Sequence, residues 1–358
     1  MTRPVHGGNL AWAAALAGCS PDLIVDFSAS INPLGPPQSA LAAIGAHLER
    51  LRAYPDPDYG ELRVSLGQRH QLPPDWILPG NGSAELLTWA SWDLSELTRT
   101  CLVTPAFGDY WRALRTFSAN VLECPLPDFR SSILDLRFPI QNPKSKIQNP
   151  IGLLVNNPHN PTGQMFFRES LIPYLEQFAL VVMDEAFMDF LPPFQQQSLI
   201  PVVQEYPNLV ILRSLTKFYS LPGLRLGYAI AHPDRLRRWQ QWRDPWPVNT
   251  LAAAAGVAVV KDTQFQQQTW DWLEPAKSHL FQGLEQIPGL QPLPGAANFL
   301  LVESEQPSSQ VQEKLLKQSK ILIRDCLSFP ELGDRYFRVA VRSEVDNQRL
   351  IDGLAAIL

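Results

Sequence analysis

One lysine of this sequence is placed where it could bond covalently to an aldehyde. Lys217 follows an apolar, strand-like run and lies among hydroxyl side chains in the segment Ser214-Leu-Thr-Lys217-Phe-Tyr-Ser220. A lysine in a partly desolvated pocket has a lowered pKa and can form a Schiff base. Arg225, further along the same segment, could bind a phosphate group through two guanidinium N–H groups. A lysine on a surface loop is the alternative, and this segment alone leaves it open.

Three more segments place polar groups where strands are predicted to end or helices to begin. Asp184 ends an apolar run, and its carboxylate could keep a pyridinium nitrogen protonated or, alternatively, cap a helix. Asn160, in Asn160-Pro-Thr-Gly163, could donate its side-chain amide to a ring oxygen or simply belong to a tight turn. The segment Gly80-Asn-Gly82-Ser83 precedes a predicted helix, whose first N–H groups could bind a phosphate. Each of these segments is only moderately specific by itself.

The elements around these segments predict a mainly parallel sheet. Between residues 75 and 231, short β-branched or apolar runs alternate with helical stretches, which is typical of a sheet covered by helices on both faces. Ligands of such sheets bind beyond the carboxyl ends of the strands. The predicted strands are Thr100–Val103, Gly152–Asn156, Leu180–Met183, Leu209–Leu212 and Gly227–Ala231, and the predicted helices include Ala84–Leu94, Tyr110–Phe117 and Glu169–Gln177.

The chain as a whole divides into three predicted parts. Residues 1–37 form an N-terminal arm without a sheet of its own, which we expect to pack across the two lobes. Residues 38–235 form the large domain, and residues 236–358 form a small α+β domain with apolar runs at 298–302, 321–323 and 337–341. The repeated Ile-Gln-Asn-Pro at 140 and 147 predicts an exposed loop over residues 138–150.

The composition is that of a globular protein and argues against several function classes. Of the 358 residues, 45% are hydrophobic and 18% are charged, and 30 basic against 35 acidic side chains give a formal net charge of −5. This mild acidic excess favours neither a nucleic-acid binder nor a binder of anionic membranes. No apolar run reaches the roughly 20 residues that span a bilayer. The four cysteines show no metal-ligand spacing, so we predict no metal site.

The first residues are similar to a short signal peptide that ends at Cys19, as in lipid-anchored proteins. The alternative is an ordinary helix with Asn9 as its N-cap and Gly18 at its end. We favour the helix, because Arg3 is the one basic residue before the apolar stretch. The sequence therefore predicts a cytoplasmic protein.

The four polar segments, taken in their order along the chain, resemble those of fold-type I pyridoxal-phosphate enzymes. More narrowly, they are similar to the branch that includes histidinol-phosphate aminotransferases and L-threonine-O-3-phosphate decarboxylases, and the similarity runs from His6 to the C-terminus. The resemblance implies an α/β fold of the fold-type I transferase kind, with a mainly parallel central sheet and a smaller α+β lobe. It also implies pyridoxal 5′-phosphate as the cofactor.

The resemblance implies roles for individual residues. Lys217 would be the lysine joined to the cofactor and later the proton shuttle, while Asp184 would bind the ring nitrogen and Asn160 the ring 3-oxygen. Phe107 would stack on the ring, with a core aromatic as the alternative. Tyr54 would enter the neighbouring subunit's site, which implies a homodimer with shared active sites. The residues around the cofactor phosphate would be Gly82, Ser83, Ala84, Ser214, Thr216 and Arg225.

Within this branch, the N-terminal segment His6-Gly7-Gly8-Asn9 favours the decarboxylase. Phe187 replaces the usual tyrosine, which should alter the electronics of the cofactor but does not by itself select a reaction. The resemblance then implies decarboxylation of L-threonine O-3-phosphate to (R)-1-amino-2-propanol O-2-phosphate and CO2, in cobalamin biosynthesis. A small phosphorylated amino acid would be bound by His6, Gly7, Ser30, Asn32, Asn160, Arg324 and Arg338. Ser30 replaces a second asparagine of the family, and Arg342 could be an ordinary salt-bridge arginine. A histidinol-phosphate or related class I/II aminotransferase and a non-catalytic ligand-binding homologue are the alternatives.

Overall fold

The computed structural model describes residues 3–126 and 150–358. The α-helices are α1 (Leu10–Ala17), α2 (Gln38–His47), α3 (Gly60–His70), α4 (Gly82–Ser95), α5 (Gly108–Thr116), α6 (Arg168–Gln177), α7 (Pro233–Gln240), α8 (Thr250–Lys261), α9 (Thr263–Glu285), α10 (Ser308–Ser319) and α11 (Glu344–Ile357). The strands are β1 (Val25–Asp26), β2 (Ile77–Asn81), β3 (Arg99–Thr104), β4 (Val121–Pro125), β5 (Ile151–Asn156), β6 (Leu180–Asp184), β7 (Leu209–Ser214), β8 (Leu226–Ala231), β9 (Leu290–Pro292), β10 (Phe299–Ser304), β11 (Ile321–Leu322), β12 (Arg324–Asp325) and β13 (Tyr336–Ala340).

The large sheet has the strand order β2-β8-β7-β6-β5-β3-β4. The five strands β4, β3, β5, β6 and β7 run parallel to one another, whereas β8 is antiparallel to both β7 and β2. The prediction of a mainly parallel sheet is therefore confirmed, and each of the five predicted strands is present. The two edge strands were not predicted, since β2 contains Pro79 and β4 is largely exposed, and neither reads as a buried strand.

Both faces of this sheet are covered by helices, as the apolar runs predicted. Along the central strands the side chains alternate between two hydrophobic clusters, so that Leu154 and Val182 face one side while Leu153 and Val181 face the other. Buried residues of α4, α5 and α7 complete one cluster, and those of α3, α6 and α8 join the other. This double packing fixes the carboxyl ends of β5, β6 and β7, from which the polar segments emerge.

The small lobe is built on an antiparallel sheet with the order β12-β13-β10-β9. Its helix α9 packs against α11 and β9, and α10 packs against α11. By contrast, α8 packs against α2 and α3, and α7 packs near β2, which are elements of the large lobe. Helices α7 and α8, which begin at Pro233 and Thr250, therefore pack on the large lobe. The predicted boundary at residue 236 stays a prediction.

The N-terminal arm connects the two lobes, as predicted, but it also contributes a strand. Helix α1 has the predicted caps, because the Asn9 side chain accepts from the Trp12 amide at 3.0 Å and Gly18 ends the helix with a φ of 64°. The arm has no sheet of its own, since its one strand, β1, pairs in parallel with β11 of the small lobe. Further on, the Asn32 amide donates to the Lys217 carbonyl at 3.0 Å in the large lobe.

Two further predictions concern the loop at residues 138–150 and membrane-spanning segments. The loop predicted over residues 138–150 lies outside the described residues, except for Pro150. Within the described part of the chain, none of the helices combines the length and the apolar character needed to cross a bilayer.

Candidate active site

A cavity of about 230 Å³ lies where the carboxyl ends of the central strands meet the small lobe and the arm. Its walls include five of the residues predicted to bind cofactor or act on it, namely Ser83, Phe107, Asn160, Asp184 and Lys217. They also include five residues predicted to bind substrate, namely His6, Gly7, Ser30, Arg324 and Arg338. Segments from both lobes and from the arm therefore meet in one place, although they are far apart in the sequence.

Burial pushes the two central titratable groups of the cavity toward their neutral forms. The pKa of the Lys217 ammonium is lowered by burial, an effect that Arg225 and Arg338 reinforce and Asp184 opposes. Burial likewise raises the pKa of the Asp184 carboxyl, although Lys217 counteracts the rise. Lys217 Nζ lies 5.2 Å from the ring centroid of Phe187, so an apolar face borders the amine. A desolvated lysine of this kind is a competent nucleophile toward an aldehyde.

The position of the Asp184 carboxylate is fixed by a tyrosine that the sequence analysis did not select. The Tyr110 hydroxyl donates to Asp184 Oδ2 at 2.8 Å, and the Ala186 amide donates to Asp184 Oδ1 at 2.9 Å. Tyr110 is buried in the first turn of α5 and lines the cavity together with Phe107, with ring centroids 5.6 Å apart. The sequence signal that could have identified Tyr110 is its position three residues after Phe107, since side chains at this spacing lie on one side of a helix.

The start of α4 provides the predicted anion-binding end of the site. Gly82 begins the helix with a φ of +73°, and a Cβ there would lie 2.6 Å from the Arg225 guanidinium. The Asn81 side chain makes no capping hydrogen bond to this helix, so the first turn keeps amides for a ligand. Gly227 pairs with Ser214 and lies against the Ser83 amide. This packing brings the end of β7 next to the start of α4.

The remaining predicted phosphate-binding residues adjoin this end of the cavity. The Ser214 and Thr216 hydroxyl groups lie 2.7 Å apart, in hydrogen-bond contact. Of the six residues in the predicted set, Ser83 lines the cavity itself. Ala84 follows in the same helical turn and has no polar side-chain atom, so its backbone amide is the group that could contribute.

Two guanidinium groups line the opposite end of the cavity. Arg324 and Arg338 are direct partners in the antiparallel pairing of β12 with β13, which puts their side chains on one face of the sheet. Burial, together with the charge of Arg324, lowers the pKa of Arg338 to about 10. Arg338 donates to Asn160 Oδ1 and stacks on Phe299, with its guanidinium carbon 4.6 Å from the ring centroid. Two adjacent cations, one buried and one partly buried, are suited to a ligand with two anionic groups.

The contacts of Arg324, Arg342 and Ser30 show which of these side chains belong to this end of the cavity. Arg324 donates to the Ser328 hydroxyl at 2.7 Å and to the Val5 carbonyl of the arm. Arg342 does not line the cavity, because it pairs with Asp346 at 3.1 Å, which confirms the salt-bridge interpretation. The Ser30 hydroxyl lines the cavity, is buried, and has no hydrogen-bond partner within the described residues.

Asn32 was predicted to bind substrate, but its side chain does not line the cavity. Its side-chain amide donates to the Phe218 carbonyl and to the Thr269 hydroxyl, both at 2.8 Å, and its side-chain oxygen accepts from the Leu34 amide at 3.0 Å. With its donors and acceptor engaged in this way, the side chain braces the loop beside Lys217 and does not reach the cavity.

Tyr54 lies away from this cavity. It is 78% exposed and stacks on Trp246, with ring centroids 4.2 Å apart. The role predicted for it in a neighbouring subunit's site stays a prediction.

The residues of the cavity fit pyridoxal 5′-phosphate. The buried Asp184 carboxylate is the kind of group that a protonated ring nitrogen would stabilise. The Lys217 amine is available for the aldehyde carbon, and Phe107 offers an aromatic surface for a ring. The first turn of α4, with Arg225 packed on Gly82, offers N–H donors for a phosphate.

Comparisons with known proteins agree with this fold. The profile of the aminotransferase class I and II family matches residues 23–354. A threonine-phosphate decarboxylase of Salmonella typhimurium is 39% identical over 366 aligned residues, which cover 99% of this chain and 96% of that protein. A histidinol-phosphate aminotransferase of Symbiobacterium thermophilum is 34% identical over 340 residues, covering 94% of this chain and 91% of that protein.

Among solved structures, the histidinol-phosphate aminotransferase of Clostridium acetobutylicum matches with a TM-score of 0.83 at 26% identity, covering 92% of this chain and 98% of that chain. Together these matches confirm the predicted fold-type I α/β architecture. They also show that this chain is similar both to a threonine-phosphate decarboxylase and to histidinol-phosphate aminotransferases.

Proposed function

The chain belongs to the aminotransferase class I and II family, and from this premise we propose that it is a pyridoxal-phosphate-dependent carboxy-lyase. Its substrate would be L-threonine O-3-phosphate, and its products (R)-1-amino-2-propanol O-2-phosphate and CO2. The observation that carries this proposal is the pair of guanidinium groups of Arg324 and Arg338, adjacent in register on the cavity wall. A phosphorylated amino acid supplies two anions for them. The decarboxylase of S. typhimurium, 39% identical to this chain, supports the choice of reaction.

The roles of the chain's own residues follow from the geometry. When bound, pyridoxal phosphate supplies an aldehyde for condensation with an amine and a ring that withdraws electrons from Cα. Lys217 would hold the aldehyde before substrate enters, and its lowered pKa provides the neutral amine that this requires. Asp184, oriented by Tyr110, would keep the ring nitrogen protonated. The first turn of α4 and Arg225 would bind the cofactor phosphate.

The arginines would decide which bond of the substrate breaks. By binding the phosphate and the carboxylate at fixed positions, Arg324 and Arg338 orient the substituents of Cα. Whether the bond from Cα to the carboxylate or the bond from Cα to hydrogen is presented to the cofactor would depend on where these two guanidinium groups hold the carboxylate, and this choice separates decarboxylation from transamination. In the decarboxylase, Lys217 Nζ donates the proton that replaces CO2 on Cα.

The alternative function is that of a histidinol-phosphate aminotransferase. The 34% identical relative from S. thermophilum supports this alternative, because it carries that name and aligns with nearly the whole chain. Its substrate also has a phosphate group but no carboxylate, so it would supply one anionic group to the guanidinium pair, whereas L-threonine O-3-phosphate would supply two. The place in cobalamin biosynthesis, the cytoplasmic location and the homodimer follow from the resemblance or the sequence, and they stay predictions.

The two functions differ in a directly measurable product. The holoenzyme would be incubated separately with L-threonine O-3-phosphate and with histidinol phosphate plus 2-oxoglutarate, while CO2 release and glutamate formation are recorded. We expect CO2 from the first mixture, without conversion of the cofactor to its amine form. Glutamate formation from the second mixture, with no CO2 from the first, would contradict the decarboxylase and favour the aminotransferase. An Arg338→Met variant serves as the control that activity depends on the described cavity.

A further inference from the structure

The residues ahead of α1 cross the cavity from one lobe to the other. We call residues 3–8 the N-terminal strap. At the small lobe, the Arg3 guanidinium lies 3.5 Å from the Asp325 carboxylate, and Arg324 donates to the Val5 carbonyl. At the large lobe, the His6 ring lies against Phe107, with ring centroids 5.6 Å apart. Val5, His6 and Gly7 line the cavity, so the position of the strap shapes its substrate end.

A single serine docks the strap between these two contacts. The Gly8 amide donates to Ser28 Oγ at 2.8 Å. The Ser28 hydroxyl in turn donates its proton to Asp26 Oδ1 at 2.6 Å, and the Ser28 amide donates to the same oxygen at 2.8 Å. Because the one hydroxyl proton is used by Asp26, the oxygen of Ser28 is left as an acceptor that faces the strap.

The neighbouring glycine shows how closely the strap approaches Ser28. A Cβ on Gly7 would lie 2.3 Å from the Ser28 carbonyl oxygen and 2.8 Å from its carbonyl carbon. Both atoms belong to the backbone, so a side chain at position 7 would displace the strap. The close approach and the hydrogen bond to Gly8 therefore act on the same segment.

We propose that Ser28 is a positioning residue, which acts through the strap to place His6 and the backbone of Gly7 at the substrate end of the cavity. The identity of the substrate in this inference rests on the proposed function, whereas the docking contact does not. Ser28 would influence binding of the phosphorylated substrate and leave cofactor binding unchanged. That division is expected because, among the described residues, the strap touches the cofactor residues only through the His6 ring beside Phe107, whereas its contact with Arg324 lies at the substrate end.

The test combines kinetics with hydrogen exchange on the full-length holoenzyme. The variants are Ser28→Ala, which removes the acceptor, and Gly7→Ala, which removes the close approach. Gly45→Ala is the control, since a Cβ on Gly45 in α2 meets nothing within 4 Å. We expect Ser28→Ala to raise KM for L-threonine O-3-phosphate about fivefold, the equivalent of one lost neutral hydrogen bond. Gly7→Ala should raise KM at least as much, because its Cβ would displace the strap from the Ser28 backbone. Both kcat and the dissociation constant of pyridoxal phosphate stay near the wild-type values.

Two further measurements separate docking from a general structural defect. The amides of residues 5–8 should exchange faster in Ser28→Ala and Gly7→Ala, while those of α2 do not change. The double variant should raise KM no more than the stronger single variant, because both act on one contact. Unchanged exchange at Gly8 in Ser28→Ala, or cofactor affinity that falls in step with the rise in KM, would overturn the inference. If the wild-type enzyme does not turn over the substrate, the proposed function fails, and the exchange data still decide whether Ser28 docks the strap.

Discussion

The hydrogen bond from Tyr110 to Asp184 offers the sharpest test of how the site works. Tyr110→Phe removes the donor hydroxyl but keeps the buried ring beside Phe107. The bond is made to the charged form of Asp184 and therefore favours ionisation, so its loss raises the pKa of that carboxyl further. A hydrogen bond to a charged group contributes about 1.5–3 kcal/mol, which corresponds to a pKa rise of roughly one to two units.

The consequence is visible in the pH dependence of activity. If the ionised Asp184 keeps the cofactor ring protonated, activity is present above the pKa of this coupled pair and is lost as the pH falls through it. In Tyr110→Phe, the acid limb of the kcat/KM profile should move to higher pH by about one to two units. The basic limb should not move, since the mutation leaves Lys217 in place.

A matched control separates this effect from the loss of any buried tyrosine hydroxyl. Tyr228 is equally buried, and its hydroxyl also makes a 2.8 Å hydrogen bond, but to His70 and away from the cavity. Tyr228→Phe should therefore leave the acid limb where it is. An unshifted acid limb in Tyr110→Phe, or an equal shift in both variants, would refute the assignment of Asp184 as the group that controls the ring nitrogen.

Four further substitutions test three residues of the candidate site and one residue of the hydrophobic core. Lys217→Ala should lower turnover by at least about 10²–10⁴-fold, and borohydride reduction of the wild-type holoenzyme followed by peptide mapping should label Lys217 and no other lysine. Arg338→Lys keeps the charge but loses the forked donor, so KM for the phosphorylated substrate should rise by about 10–100-fold with little change in cofactor affinity. Gly82→Ala combines a positive φ with a clash against Arg225; titration of the apoenzyme should show that it binds pyridoxal phosphate roughly tenfold or more weakly. Leu212→Ala, in a fully buried position, should lower the free energy of unfolding by about 2–5 kcal/mol in urea titrations.

Local patterns were enough to predict the central strands and the segments that follow them. The strands β5, β6 and β7 are buried on both faces, so each appears in the sequence as a short apolar run, followed by its polar segment. Parallel neighbours end at one edge of the sheet, which is why Asn160, Asp184 and Lys217 lie on one cavity. The edge strand β2 escaped prediction because Pro79 is tolerated only where a ladder partner is missing on one side.

Side-chain direction and long-range contacts could not be predicted in the same way. Asn32 occupies a loop that the sequence correctly associated with the site, but three hydrogen bonds turn its side chain toward Phe218 and Thr269. Tyr110 was missed because its partner Asp184 lies 74 positions further along the chain. Such contacts depend on packing of the whole fold, and no local periodicity encodes them.

The arginines of the small lobe show what the local sequence pattern predicts and what only the folded structure determines. Arg338 and Arg342 lie four positions apart, so a continuous strand would direct both side chains to the same face. Strand β13 ends at Ala340, however, and Arg342 instead pairs with Asp346 in the first turn of α11. Arg338 stays within the strand and is held opposite Arg324 by the pairing with β12. The cationic end of the site is thus determined by where one strand stops, since extension of β13 by two residues would bring a third guanidinium to this face.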